Sequence, residues 1–163
     1  MVSKRLSREV GHRRKFLAII DDTPECERAI AYASKRALNT NGVVVLLYVI
    51  DPTDFQQWLG VERIMREEAT ATANAALDTA AAKIRATLGI EPELVVREGK
   101  ATEEIHKLIE DDQDIAILVL AAGGNKEGPG PLVASIAGKA AAFPIPVTVV
   151  PMNLSDEEID SLT

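Results

Sequence analysis

Cysteine is almost missing from this chain. Cys26 is the single one among 163 residues, so no disulfide can close within it. A reducing, cytoplasmic compartment is the simplest reading of that usage. Aromatic residues make up only 4% of the sequence, and alanine is abundant instead. Small side chains let helices approach a sheet closely, which suits a layered α/β domain. Histidine occurs twice, at His12 and His106, and neither has cysteine or histidine near it at metal-ligand spacing. No metal site is expected. No apolar run reaches the roughly 18 residues that a membrane span needs. Basic charge is outweighed, with 18 Lys and Arg against 25 Asp and Glu and a formal net charge of -7. That balance argues against a nucleic-acid partner, which calls for a basic face, and against an anionic membrane surface.

The two ends depart from this balance. Residues 1–14 read as a flexible basic arm, with Lys4, Arg5, Arg8, Arg13 and Arg14 against Glu9 alone. The arm lacks the apolar stretch of a secretory signal. It is either a frayed, solvated terminus or a docking arm for an acidic partner. Residues 152–163 read as an acidic, loose tail. Between them, residues 15–151 suit one domain. A chain of this length buries roughly two thirds of its unfolded surface and needs no metal or disulfide to stand.

Five short apolar runs punctuate the chain: Phe16–Ile20, Val43–Ile50, Leu94–Val96, Ile115–Leu120 and Val147–Val150. They do not alternate polar with apolar residues. Such strands belong in a parallel sheet covered on both faces. Helical stretches lie between them. Pro24–Leu38 opens on Thr23 as a plausible N-cap with proline at the first helical position. Val61–Leu88 carries Val61, Ile64, Met65, Ala69, Ala73, Leu77, Ala80, Ile84 and Leu88 at three- and four-residue steps, and Gly89 ends it. Thr102 caps a third helix with Ile105, Leu108 and Ile109 on its core face. Leu132–Ala142 is a fourth, ended by Phe143-Pro144. The order is β-α-β-α-β-α-β-α-β, and right-handed crossovers place helices on both faces of one sheet. The expected class is α/β, a single five-stranded parallel sheet of order 3-2-1-4-5. The irregular stretch 51–60 carries Phe55 and Trp58, which either form a lid or contact surface or pack down onto the domain.

In an open parallel sheet, ligands collect beyond the carboxyl ends of the strands where the order reverses. Here that crevice lies between the first and fourth strands. The first contributes Asp21 and Asp22; the fourth contributes Ala121, Ala122, Gly123, Gly124 and Asn125. Glycines in that turn admit positive φ and let backbone N–H groups approach an anion. The helix that follows offers unpaired N–H groups, and Ser135 would add a hydroxyl. A phosphate site and a plain glycine-rich turn both fit these features.

These segments resemble the universal stress protein family. The stretch FLAIIDDTPECERAIAYA resembles the family's opening strand and helix, VVVLLYVIDP its second strand, and VREGKATEEI its third strand, turn and helix. IAILVLAAGG resembles the fourth strand and PIPVTVVP the closing one. The resemblance covers about residues 15–151 and implies the adenine nucleotide alpha hydrolase-like fold. Many members bind ATP through Gly, two residues, Gly, nine residues, then Gly-Ser or Gly-Thr. Anchored on Ser135, that spacing falls on Ala121, Gly124 and Ala134-Ser135, so two glycines of the pattern are alanine here. A Cβ at Ala121 or Ala134 would crowd a triphosphate. Glu127 would repel phosphate, and Pro129 and Pro131 remove two N–H donors. By resemblance the nucleotide contacts are Ile20, Asp21, Val49, Ala121, Gly123, Gly124, Ala134, Ser135 and Ile136, with Lys126 and Lys139 as candidate neutralising charges. The resemblance implies weak or altered binding of ATP or AMP, and no certain cofactor. It also implies a homodimer paired through Val147, Thr148, Val149 and Val150.

Other signals fall away. Gly99-Lys100-Ala101-Thr102 resembles the end of a P-loop, but Leu94 and Ala101 occupy positions that need glycine and a hydroxyl residue. Gly128-x-Gly130 lacks the third glycine of a dinucleotide fingerprint. Cys26 sits where a helix dipole would lower a thiol pKa, although a packed helix-face cysteine is the simpler reading. Asp21 and Asp22 would point to opposite sides of a strand end, a poor acid–base pair. No catalytic residue is assigned, and at most very slow nucleotide hydrolysis is expected. Two functions stay open: a nucleotide-responsive stress protein, and a stress protein acting through dimer and partner surfaces without a nucleotide. An enzyme of another doubly wound family is a third, since fold alone does not exclude it.

Overall fold

The computed structural model describes residues 3–21, 23–55, 60–123, 130–139 and 142–163. Five strands, β1 (Lys15–Ile20), β2 (Val43–Ile50), β3 (Glu93–Glu98), β4 (Ile115–Ala122) and β5 (Val147–Pro151), form one parallel sheet of order β3-β2-β1-β4-β5. The sheet order is the one expected from the sequence. Among the described residues, five α-helices join or follow the strands: α1 (Cys26–Asn39), α2 (Val61–Leu88), α3 (Ala101–Asp111), α4 (Pro131–Ala137) and α5 (Asp156–Leu162). Among the described residues no helix is long and apolar enough to cross a membrane.

The unbroken apolar strands have a direct consequence. Successive side chains point to opposite faces, so each strand feeds two cores. Leu17, Ile19, Val45, Leu47, Leu118 and Leu120 pack against Ile105, Leu108 and Ile109 of α3 and Val133 and Ile136 of α4. Phe16, Ala18, Ile20, Val44 and Leu46 pack on the other face, against Ala29, Ala33 and Ala37 of α1 and Leu77 and Ile84 of α2. The three alanines on α1 let it lie close on the sheet, since the helix side of that contact offers only methyl groups.

α2 keeps the limits expected of it, and Gly89 ends it at a φ of +68°, a left-handed conformation that favours glycine. Its stripe is only partly as expected. Ala73, Leu77, Ala81 and Ile84 are buried, but Ile64 is exposed. α1 starts two residues later than expected. The Asp21 carboxylate takes the Thr23 backbone N–H at 2.9 Å, so Thr23 joins a turn and does not cap the helix. Lys100, not Thr102, is the cap residue of α3, and α4 ends at Ala137, before the expected Ala142.

Both termini differ from the loose segments expected. In the arm, the Leu6 N–H donates to the Gln113 carbonyl at 2.9 Å, and His12 Nδ1 lies 2.7 Å from Asp114 Oδ1. One main-chain and one side-chain contact thus hold the arm against the turn entering β4. The acidic tail folds as α5 because Ser155 and Glu158 form a reciprocal capping box. Ile159 is fully buried, and Asp156 and Asp160 pair with Arg28 and Lys35 of α1. Phe55 also packs down, joining Ile50 and Ala73, with Arg66 5.4 Å from its ring centroid. Trp58 lies outside the described residues.

Candidate functional site

β1 and β4 are neighbours in the sheet, while the chain leaves them toward opposite sides of the strand order. Their carboxyl ends therefore frame a gap at the point where the strand order reverses. The turn after β1 is fixed locally. Asp21 Oδ1 accepts from both the Thr23 N–H and the Thr23 hydroxyl, and the Cys26 thiol donates to the Asp21 carbonyl at 3.7 Å. Gly130 opens the opposite wall at a φ of +108°, with Pro131 as the first residue of α4. That conformation suits glycine, and the proline needs no N–H partner there.

Two adjoining hollows result, sharing Ile19, Asp21, Pro131 and Leu132. One is a narrow slot of about 50 Å³ between the β1 and β4 exits, lined by Asp21, Thr23, Glu25, Ala121 and Gly130. The other is a cavity of about 330 Å³ lined by Ile20, Asp21, Val49, Thr102, Leu132 and Ser135. The larger hollow is of a size that small ligands occupy.

Of the residues expected at the site, Ile20, Asp21, Val49 and Ser135 come together in the larger cavity, and Ala121 reaches the slot. Ala134 and Ile136 line neither. Ile136 points into the core against the sheet, because it lies one position from the exposed face that carries Ser135. Gly123 lies at the end of β4, outside both hollows. Gly124, Asn125, Lys126, Glu127 and Pro129 fall outside the described residues, as does Asp22. Lys139 is exposed in the turn after α4 and lines neither hollow.

Among the lining residues that sequence reasoning missed are Thr102, Leu132 and Glu25. Thr102 and Leu132 follow from helix phase once the starts of α3 and α4 are known. Glu25 had no local signal. Its carboxylate faces Gly130, 3.9 Å from where a Cβ on that glycine would stand. Among the described residues, the two hollows carry the carboxylates of Asp21 and Glu25 and no lysine or arginine. The electrostatic bias of the described walls is thus against added negative charge.

The Cys26 thiol differs from the activated one that a helix start suggests. Burial pushes its pKa up, and the charges of Asp21, Glu25 and Glu27 push the same way; the hydrogen bond to the Asp21 backbone opposes them and loses. His106, expected as a surface helix residue, is exposed and packs its ring 4.9 Å from that of Phe143. Among the described residues, no group of three or more His, Cys, Asp or Glu is placed to hold a metal ion.

Comparison with known proteins places this arrangement. No curated protein sequence matches the chain. Solved structures do match in fold. UspA, a universal stress protein of Lactobacillus plantarum, superposes with a TM-score of 0.71 at 17% identity, covering 84% of this chain and 97% of its own. A universal stress protein of Archaeoglobus fulgidus in complex with dAMP gives 0.57 at 18% identity, over 84% of this chain and 97% of its own. A family member from Arabidopsis thaliana with AMP bound gives 0.59 at 18% identity, over 88% and 94%. At such identities the likeness speaks for the fold alone. The sequence carries the assignment further: the model of the universal stress protein family matches residues 12–151. With its strand order, its crevice and that match across nearly the whole domain, the chain belongs to the universal stress protein family.

Proposed function

We propose that this protein is a regulatory binding protein that takes an adenine nucleotide, weakly, in the crevice between β1 and β4. One observation carries the reading. Ile20 and Asp21 at the end of β1, Val49 of β2 and Ser135 of α4 come from three separate segments and converge on one open cavity of about 330 Å³. The dAMP and AMP complexes of the Archaeoglobus and Arabidopsis proteins support an adenine nucleotide as its class of ligand. Asp21 would accept from base or ribose, Val49 and Ile20 would pack against the base, and Ser135 would donate to phosphate. Nothing among these groups is poised as a general base, so the bound nucleotide is a signal and its hydrolysis slow or absent. The single unpaired cysteine, Cys26, is in keeping with a reducing, cytoplasmic setting.

The test is calorimetry with AMP, ADP and ATP at millimolar ligand, backed by thermal melting. Saturable heat and a raised melting temperature with at least one of the three are expected. Absence of both with all three would overturn the proposal.

A second reading, compatible with the first, concerns self-association. β5 is an edge of the sheet, and Val149 on it is exposed. Edge strands of this kind pair with a second copy unless blocked. A homodimer through Val147, Thr148, Val149 and Val150 is the expected state, and sedimentation at micromolar concentration showing only monomer would exclude it.

A further inference from the structure

α1 and α2 cover the same face of the sheet without filling the space between them. A cleft of about 680 Å³ runs there, floored by Ile20 and walled by Ile30 and Ala31 of α1 and by Ala76, Ala80 and Ile84 of α2. Its cause is the alanine content of the facing surfaces, whose methyl groups are too short to meet. The α2 wall runs from Ala75 to Leu88, about 20 Å at the helical rise. The cleft is therefore elongated, and its volume lies in the range of small-molecule sites. It shares only Ile20 with the larger nucleotide hollow and nothing with the slot.

Two features state what would occupy it. The charges at its mouth are already matched: Lys83 pairs with Glu27, Arg28 with Asp156 and Lys35 with Asp160. A charged ligand would have to break one of these pairs. Inside, Ser34 lines the cleft, is 1% exposed, and its hydroxyl has no hydrogen-bond partner among the described residues. Buried hydroxyls are nearly always paired, and one left alone is a standing cost. With Ser34 in the cleft wall, an oxygen on a bound molecule is the partner that its hydroxyl lacks. We propose that the α1–α2 cleft binds an elongated, neutral, apolar molecule with one hydrogen-bonding oxygen, of the fatty alcohol class, whose oxygen pairs with Ser34.

The test is titration of the full chain with 1-decanol, followed by backbone amide NMR. Saturable shifts confined to residues 27–35 and 75–88 are expected. Ser34→Ala should weaken decanol binding roughly fivefold to tenfold, the loss of one hydrogen bond. The same variant without ligand should melt no lower than the natural protein, since its hydroxyl had no partner to lose. Ala80→Phe should fill the cleft and abolish the shifts while circular dichroism stays unchanged. The proposal is overturned if decanol gives no saturable shifts, or if Ser34→Ala binds it as well as the natural protein does. Decanoate binding more tightly than decanol would overturn it too, since the site would then select a charged head.

Discussion

The guanidinium of Arg5 donates to the carbonyl oxygen of Ile109 at 2.6 Å, joining the amino-terminal arm to the last turn of α3. The same nitrogen also reaches the carbonyls of Asp112 and Ile115, at 3.2 and 3.3 Å. Helix ends leave such carbonyls without internal partners, and a cation there also meets the negative end of the helix dipole. Arg5→Ala should therefore lower stability by about 1–3 kcal/mol, the range for hydrogen bonds from a charged group. Urea unfolding checks this. An unchanged midpoint would mean that the arm is held by nothing of consequence.

α5 makes a parallel case at the other terminus. Its ion pairs with α1 involve exposed carboxylates and contribute little. Burial of Ile159 is what holds it, because that side chain is fully enclosed. Ile159→Ala should cost about 2–5 kcal/mol and speed proteolytic cleavage between β5 and α5. Asp160→Ala, removing only the pair with Lys35, should change the midpoint far less. Equal effects from the two substitutions would show that charge, not packing, docks the helix.

These terminal contacts mark what the sequence concealed. The strands were legible because an unbroken apolar run has one good home, a sheet covered on both faces. α2 was legible at both ends, with Gly89 to stop it. The arm was not, because Arg5 acts through carbonyls more than 100 residues away, and no local pattern reports that. The tail did carry a signal, Ser155 followed by Glu158, which its acidity masked. At the crevice, sheet topology fixes where the strand-end residues Ile20, Asp21, Val49 and Ala121 lie. Ala134 and Ile136 line neither hollow, because a helix turns each residue by a fixed angle and only Ser135 in that trio lies on one. Glu25 was invisible until the fold set it against Gly130.

Lys15 offers a test by pH. Its ammonium donates to Asp112 at 2.8 Å and to Glu93 at 2.9 Å, tying the start of β1 to the start of β3 and to the turn before β4. Burial would lower its pKa, but the hydrogen bonds and charges of Asp112 and Glu93 outweigh this and hold it above the ordinary 10.5. A raised folded-state pKa stabilises the fold fully below the unfolded value and fades as pH climbs through the folded one. The stability difference between the natural protein and Lys15→Met should thus stay constant from about pH 6 to about pH 9 and close only in strong alkali. Urea midpoints across that span measure it. A difference that shrinks toward neutral pH would contradict this assignment.

If the crevice takes a nucleotide as proposed, Glu25 should set the charge it tolerates. It stands with Asp21 in the slot beside Gly130, where a polyphosphate extending from the larger cavity would run. Each added phosphate brings negative charge toward these carboxylates, so ATP should bind more weakly than AMP. Glu25→Gln keeps the shape and removes one charge. It should raise affinity for ATP by roughly threefold to tenfold, the effect of about one unit charge at partly solvated range, and change that for AMP much less. Raising the salt concentration should narrow the gap between natural protein and variant, since screening replaces the substitution. Calorimetry with both nucleotides at two ionic strengths decides it. Were ATP to bind the natural protein as tightly as AMP, with no gain in Glu25→Gln, the slot would lie off the path of the phosphates.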